Sequence, residues 1–381
     1  MKGFADRVNS VEEYYFSAKL REVNQMIAEG KPVINLGIGS PDLAPDKKVT
    51  DALKSTSDNP QAHGYQSYQG IPELRSSIAN FYAREYGVSL DPNREILPMM
   101  GSKEGIMHLS MTFLNPGDEV LIPNPGYPTY TSVTNLLGAK PLYYGIDLTK
   151  SGRPNLEELE SQDLSKVKLM WINYPHMPTG AAGSREILQE LVAFAKKHEI
   201  VLLHDNPYSH ILTKEPMSIL SIPGAKEVAM ELNSLSKAFN MPGWRVGMLA
   251  GREDWIAKVL KVKSNMDSGM FLGIQKGAIA ALNLGDSWFS DIESTYQSRR
   301  KLVWKLADKL NLTYDTKAAG LFVWCQVPEG KTADQIVDEL LYEKNIFITP
   351  GKIFGSAGES YVRFSLCIPE FKILEAINRI K

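Results

Sequence analysis

Ser234-Leu-Ser-Lys237-Ala-Phe-Asn-Met-Pro-Gly-Trp-Arg245-Val-Gly247 is the stretch on which the rest of the chain can be read. A lysine stands at the end of an apolar run, residues 228–235, in a turn flanked by serine and glycine, and an arginine follows eight residues further on. A strand-end lysine partly withdrawn from water loses its preference for the charged form, which makes it a usable amine nucleophile toward an aldehyde. Two hydroxyls and a guanidinium in the same turn can meet a phosphate, the guanidinium through two parallel hydrogen bonds. Either charged residue alone would read as solvated loop; together they read as a nucleophile delivered with its phosphate clamp.

Working upstream, Val201-Leu-Leu-His-Asp205-Asn-Pro-Tyr208 puts an acid and a phenol just past another apolar run. In open α/β sheets the carboxyl ends of strands are where ligands gather. A carboxylate beside a pyridine nitrogen favours its protonated form, and such a ring is an electron sink that acidifies an amino acid's Cα–H bond. Alone, Asp205 would read as a helix cap or turn residue. Gly101-Ser102-Lys103-Glu-Gly105 opens an apolar helical segment running to residue 113, whose N-terminal amides suit a phosphate. Asn124-Pro-Gly-Tyr127-Pro-Thr-Tyr130 offers aromatic faces on a rigid turn, where Tyr127 could stack on a planar ring. Tyr361-Val-Arg363-Phe-Ser-Leu-Cys367 carries an arginine inside an apolar strand, and a buried guanidinium needs an internal acid or a ligand carboxylate.

The pattern around these motifs predicts an α/β fold. Short apolar runs at 120–123, 168–174, 200–206, 228–235 and 246–250 read as strands of a mostly parallel sheet, buried on both faces by helices. Residues 184–198 read as one such helix, capped by Ser184, with Ile187, Leu188, Leu191, Val192 and Ala195 on one face. After residue 283 a smaller α+β unit is expected: helix 293–310, strand 321–327, helix 332–344, strands 346–349 and 361–367, helix 369–381. At 381 residues the chain exceeds the size at which one core stops growing, so two packed units are the natural expectation.

With 43% hydrophobic and 23% charged residues and a formal net charge of −2, the composition is that of an ordinary globular protein, with nothing basic enough for nucleic acid. No apolar run approaches the roughly 18 residues needed to span a bilayer. The first thirty residues, mixed in charge and containing Asp6, Glu12, Glu13 and Glu22, suit neither a signal nor a transit peptide, so a cytoplasmic location is expected. Cys325 and Cys367 both lie in apolar runs and read as buried, reduced thiols. The six histidines show no ligand-like spacing, so no metal is expected.

These residues together resemble the class I/II aminotransferases, pyridoxal-phosphate (PLP) enzymes of fold type I. The likeness runs from Asn35-Leu-Gly-Ile-Gly39-Ser-Pro-Asp42 through Tyr65-Gln-Ser-Tyr-Gln-Gly-Ile-Pro72 to Arg363. The Gly101–Gly105 run and Lys263-Ser-Asn-Met-Asp-Ser-Gly269 are most similar to the subgroup with alanine and LL-diaminopimelate aminotransferases. The resemblance implies Lys237 as the Schiff-base lysine, Asp205 as partner of the pyridine nitrogen and Tyr208 as donor to the ring's O3′ oxygen. It also implies a phosphate cup of Gly101, Ser102, Lys103, Ser234, Ser236 and Arg245, ring stacking by Tyr127, and substrate carboxylate binding by Gly39 and Arg363. Tyr65 would reach the other subunit's site in a homodimer. The implied fold is a large domain, residues 46–283, with a mostly parallel seven-stranded sheet, and a small domain of residues 284–381 joined by residues 1–45. The implied reaction moves an amino group from an L-amino acid to a 2-oxo acid, commonly 2-oxoglutarate, by ping-pong kinetics. A C–S β-lyase is the alternative on the same fold. A regulator built on the fold would need a DNA-binding module that the sequence lacks.

One departure stands out. Where family members carry Tyr-Pro-Asn-Asn-Pro-Thr-Gly, this chain has Tyr174-Pro-His176-Met177-Pro-Thr-Gly180. A methionine cannot donate the hydrogen bonds expected at this cofactor-side position. Tyr208 is then expected to hold O3′ alone, and Arg363 to carry more of the carboxylate.

Overall fold

The computed structural model describes residues 3–380; Met1, Lys2 and Lys381, at the ends of the expected N-terminal segment and final helix, lie outside them. The main sheet runs in the order Ile96–Met99, Gly247–Ala250, Ala229–Ser234, Val201–Asp205, Val167–Ile172, Glu119–Asn124, Lys140–Asp147, Arg153–Pro154. Strands from Ala229–Ser234 to Lys140–Asp147 are mutually parallel, whereas Gly247–Ala250 is antiparallel to both its neighbours. The sheet therefore has eight strands, not the seven expected. The extra one, Arg153–Pro154, is an antiparallel edge dipeptide, too short to leave a periodic signal and placed where a proline's missing N–H costs nothing.

Alternate residues of these strands feed two different cores. Leu202 and Met248 point into one apolar cluster, Leu203 and Leu249 into the other. This is why the runs read as uninterrupted apolar sequence. Helix Arg185–Lys197 packs against the sheet through the five apolar residues named above, all buried, and Ser184 Oγ accepts a hydrogen bond from the Ile187 amide at 3.3 Å.

The C-terminal part is an antiparallel sheet, Thr313–Tyr314, Phe322–Gln326, Tyr361–Ser365 and Thr349–Pro350, packed with helices Asp286–Lys309 and Glu370–Arg379. Two expectations change here. The helix expected over 332–344 is an α-helix only over Ala333–Asp338 and continues as a π-turn, Glu339–Glu343. The single strand expected at 346–349 is two: Ile346–Phe347 pairs in parallel with Ile34–Asn35, while Thr349–Pro350 joins the antiparallel sheet. One apolar run conceals two partners, and alternation alone cannot tell them apart.

The N-terminal segment is thus held to the C-terminal part. It contributes helix Tyr15–Ala28 and strand Ile34–Asn35, and Asp42 takes a bidentate grip from buried Arg299 at 2.6 and 3.0 Å. Cys325 and Cys367 are buried free thiols. No helix among the described residues is long and apolar enough to cross a membrane.

Candidate active site

A cavity of about 510 Å³ opens where the parallel strands end and the C-terminal part meets them. Asp205 ends its strand, Ser234 ends the next, and Asn173 and Tyr127 follow two more. Every expected site residue lines this cavity except two. Gly101 lies beneath Arg245, and Tyr65 stands 94% exposed on the surface.

Lys237 sits on the short helical turn Leu235–Ala238, which Ser234 caps by accepting from the Ser236 amide at 3.1 Å. The hydroxyl of Ser234 donates to that of Ser236 at 2.9 Å. Lys237 Nζ donates to the Gly39 carbonyl at 2.7 Å. Burial holds its pKa below the usual lysine value, and the charges of Arg363 and Arg245 act in the same direction. The amine therefore gives up its proton more readily than a solvated lysine does.

Asp205 is 4% exposed. Its Oδ2 accepts from the Tyr130 hydroxyl at 2.8 Å, while Oδ1 has no hydrogen-bond partner among the described residues. Burial raises its pKa to about 6, against the lowering effect of the Tyr130 hydrogen bond. Asn173 braces the same strand end, donating to the Asp205 carbonyl at 2.5 Å and accepting from the Met177 amide at 2.6 Å. Tyr208 is buried, which pushes its hydroxyl pKa far upward and keeps it a donor.

The Ser102–Phe113 helix starts against this cluster. Gly101 has φ of +87°, and a Cβ there would collide with the Arg245 guanidinium. A Cβ at Gly247 would press on the Ser102 amide at 2.7 Å. Both glycines are needed for close approach: the helix N-terminus, Arg245 and the paired serines converge on one small volume.

Arg363 is 3% exposed and, among the described residues, has no carboxylate partner. Its Nη2 donates to the Gly37 carbonyl at 2.8 Å, Nη1 lies 3.5 Å from Met177 Sδ, and Nε has no partner. Phe322, Phe354 and Phe16 enclose the guanidinium at 3.9, 4.6 and 5.5 Å from their ring centres. Burial lowers its pKa to about 10, so it remains charged at neutral pH. A buried guanidinium held by one carbonyl, a thioether and ring faces has donor capacity to spare for an anion.

The motifs did not assign Tyr130, Asn173, Tyr14 and Phe16. Tyr130 lies inside the Asn124–Tyr130 turn already singled out, so its signal was present; Tyr14 and Phe16 carry no spacing that would have marked them. One histidine spacing was also passed over. Glu104 and His108 share a helix face, and their ligand atoms lie within 4.8 Å of an Asp267 oxygen. Asp267, however, already pairs with buried Lys263 at 2.8 Å. A second cation there would meet the lysine's charge.

The donor set fits pyridoxal phosphate. Asp205 offers an unpartnered carboxylate oxygen for a protonated ring nitrogen. Tyr127 flanks the cavity with an aromatic face, Lys237 offers an amine whose charged form burial disfavours, and the glycine-cleared cup offers hydroxyls, amides and a guanidinium for a phosphate. The fold and site together define a PLP-dependent α/β enzyme of fold type I.

Comparison with known proteins narrows this. The chain belongs to the aminotransferase class I and II family, whose pattern matches residues 31–380. It is 40% identical to the LL-diaminopimelate aminotransferase of Aquifex aeolicus, over 99% of this chain and 98% of that one. Its likeness to the LL-diaminopimelate aminotransferase of Halothermothrix orenii is 39%, over 99% and 97%. Among solved structures, substrate-bound BacF of Bacillus subtilis superposes with a TM-score of 0.95 at 35% identity, over 100% and 97% of the two chains. An aspartate aminotransferase variant of Thermus thermophilus gives 0.92 at 25%, over 100% and 99%. This chain is a PLP-dependent enzyme that moves an amino group between amino acids and 2-oxo acids. The named relatives give the C–S lyase alternative no support.

Proposed function

We propose that the cavity carries out amino transfer with Lys237 as covalent anchor and general base, Asp205 as partner of the ring nitrogen, Tyr208 as O3′ donor and Arg363 as the grip on the substrate's α-carboxylate. The observation that carries this reading is Arg363: a buried guanidinium with no acid partner among the described residues, sharing one cavity with Lys237 and Asp205. When bound, the cofactor supplies the electron sink that makes a Cα proton removable. The residues do the rest. Arg363 fixes the carboxylate, Gly37 and the aromatic rings hold the guanidinium in place, and Gly39 keeps its carbonyl beside the lysine. Freed from the cofactor, Lys237 Nζ takes the proton from the substrate's Cα, a task suited to an amine whose pKa is drawn toward neutrality. The backbone amides of Ser102 and Lys103, with the side chains of Ser234, Ser236 and Arg245 and over the clearance at Gly101, hold the phosphate, and Tyr127 stacks on the ring.

The same reading includes ping-pong turnover with 2-oxoglutarate as acceptor, a cytoplasmic location and a homodimer in which Tyr65 reaches the other site. Support for the dimer comes from the surface. Exposed Tyr65, Tyr68 and Met266 lie on two segments in contact, Lys263 Nζ donating to the Tyr68 carbonyl at 3.1 Å. It also includes the division at residues 45/46 and 283/284, supported by the Ile34–Asn35 pairing with Ile346–Phe347 and by the Asp42–Arg299 bridge.

The test is borohydride reduction of the holoenzyme followed by peptide mapping, with absorbance changes of the bound cofactor recorded on adding single amino acids. Label on Lys237, and a response that requires an α-carboxylate, are expected. An unlabelled Lys237, or equal response to amines lacking the carboxylate, would refute the assignment.

A further inference from the structure

LL-Diaminopimelate, the donor in the relatives' name, carries a second ammonium and a second carboxylate at the far end of its side chain. Groups able to meet them would have to line the cavity. Its charged lining residues are Lys103, Asp205, Lys237, Arg245 and Arg363. On the reading above, the last four are committed to the cofactor and the α-carboxylate. Asp205, the only acid among them, already accepts from Tyr130. A distal ammonium brought into this cavity finds no counter-charge from this chain.

What remains is an aromatic and aliphatic wall. Tyr14, Phe16 and Leu20 come from the N-terminal segment and its helix Tyr15–Ala28, Ile38 from the glycine-rich turn, and Phe354 from the C-terminal part. Tyr14 and Phe16 are 5.6 Å apart between ring centres, Phe16 and Phe354 6.4 Å, so the rings are continuous. Phe16 and Phe354 also enclose Arg363. A side chain leaving the α-carbon of a substrate gripped there meets them.

Among the charged side chains lining the cavity, that of Lys103 is uncommitted, and its ammonium stands 4.4 Å from the centre of the Tyr14 ring. Tyr14 therefore caps the one group able to pair with a distal carboxylate. A substrate carboxylate must draw Lys103 off that ring, whereas an apolar side chain can pack on the wall with the pair left as it is.

We infer that the donor used best carries a bulky, uncharged, apolar side chain, seated on Tyr14, Phe16, Leu20 and Phe354, and that Tyr14 sets this preference by occupying Lys103. The inference rests on the assignment of Arg363 to the α-carboxylate.

The test is single-turnover absorbance of the PLP-loaded enzyme against L-phenylalanine, L-leucine, L-glutamate, L-lysine and LL-diaminopimelate. The expected result is a rate constant over apparent dissociation constant on the order of 100-fold higher for phenylalanine or leucine than for lysine or LL-diaminopimelate. A highest value for LL-diaminopimelate, lysine or glutamate overturns the inference while leaving the amino-transfer reading intact. No response to any amino acid overturns both.

Tyr14 is tested by ratio. Tyr14→Ala is expected to lower the phenylalanine-to-glutamate ratio about tenfold or more, and Tyr14→Phe, which keeps the ring, to leave it within about twofold. A ratio unmoved in Tyr14→Ala, with both substrates falling together, assigns Tyr14 a packing role only and overturns its part. Should Tyr14→Ala fail to fold, Tyr14→Leu, which keeps bulk but removes the ring face, is held to the same fall, and a ratio unmoved there overturns the part given to Tyr14.

Discussion

The two ends of the cavity are built in different ways. Its inner end, Lys237, Asp205, Ser234 and the Gly101–Ser102 turn, sits on strand ends or the residues that follow them, and its side chains are held by hydrogen bonds: Ser234 accepts from the Ser236 amide, Asp205 accepts from the Tyr130 hydroxyl and Lys237 donates to the Gly39 carbonyl. The aromatic wall is assembled from residues 14–20, 38 and 354, which the main sheet does not carry and which meet through ring contacts. A rigid sheet can hold charges to a fraction of an ångström, as proton transfer and anion binding demand. Apolar contact tolerates looser placement and adapts to shape. The inner end should therefore fail steeply when altered and the wall by degrees.

The sharpest way to break that contrast is Lys237→Ala. It removes the amine altogether and is expected to lower the single-turnover rate by about 1,000-fold or more, with circular dichroism unchanged. A loss under tenfold would remove Lys237 from the chemistry.

Asp205 gives a pH signature in the cofactor-free protein. Its folded pKa of about 6 lies above the ordinary carboxylate value of 3.8, so folding favours the protonated form. The associated stability is fully present below about pH 4 and is lost as pH rises toward 6, by roughly 3 kcal/mol for this group. Urea midpoints across that window should show the decline. Asp205→Asn should flatten it, and cofactor loading should do so as well, because a protonated ring nitrogen stabilises the carboxylate. A slope identical in wild type and Asp205→Asn would assign it elsewhere.

Arg363→Lys keeps the charge but loses the planar fork. It should reduce kcat/KM by about 10- to 100-fold, consistent with roughly 1.5–3 kcal/mol for hydrogen bonds to a charged group. Steady-state kinetics decide it; an effect confined to substrate inhibition would speak against a carboxylate grip.

The smallest effect is expected where the two ends touch. Met177 contacts Arg363 through sulfur alone. Met177→Asn should tighten the apparent substrate dissociation constant by about 2- to 10-fold, the range of one added neutral hydrogen bond. Unchanged or weaker binding, measured by titration of the holoenzyme, would mean that the methionine is already complementary to what it faces.

This contrast also explains what could be read from sequence. The inner end was legible because its chemistry requires particular residue types at fixed offsets from apolar runs: Lys237 and Arg245 in one turn, Asp205 and Tyr208 after another, Arg363 within a strand. The five apolar strands and the Ser184-capped helix were legible for a related reason, since burial on both faces or along one stripe leaves periodic signal. The wall left none. Tyr14 and Phe16 are aromatic residues in an unremarkable segment until the chain folds back, and the partner that draws them in, Ile346–Phe347, lies more than three hundred residues away. The edge dipeptide Arg153–Pro154 and the split of residues 346–349 escaped for the same cause: pairs of residues carry no period.

The clasp between Ile34–Asn35 and Ile346–Phe347 has one more consequence. Because those backbones are bonded in register, the segment bearing Tyr14 and Phe16 is tied to the C-terminal part, while Lys237 and Asp205 stand on the large sheet. Any rotation of one body against the other would change the gap between the aromatic rings and the reacting carbon, and the bulk of the side chain in that gap would then be felt as a limit on closure.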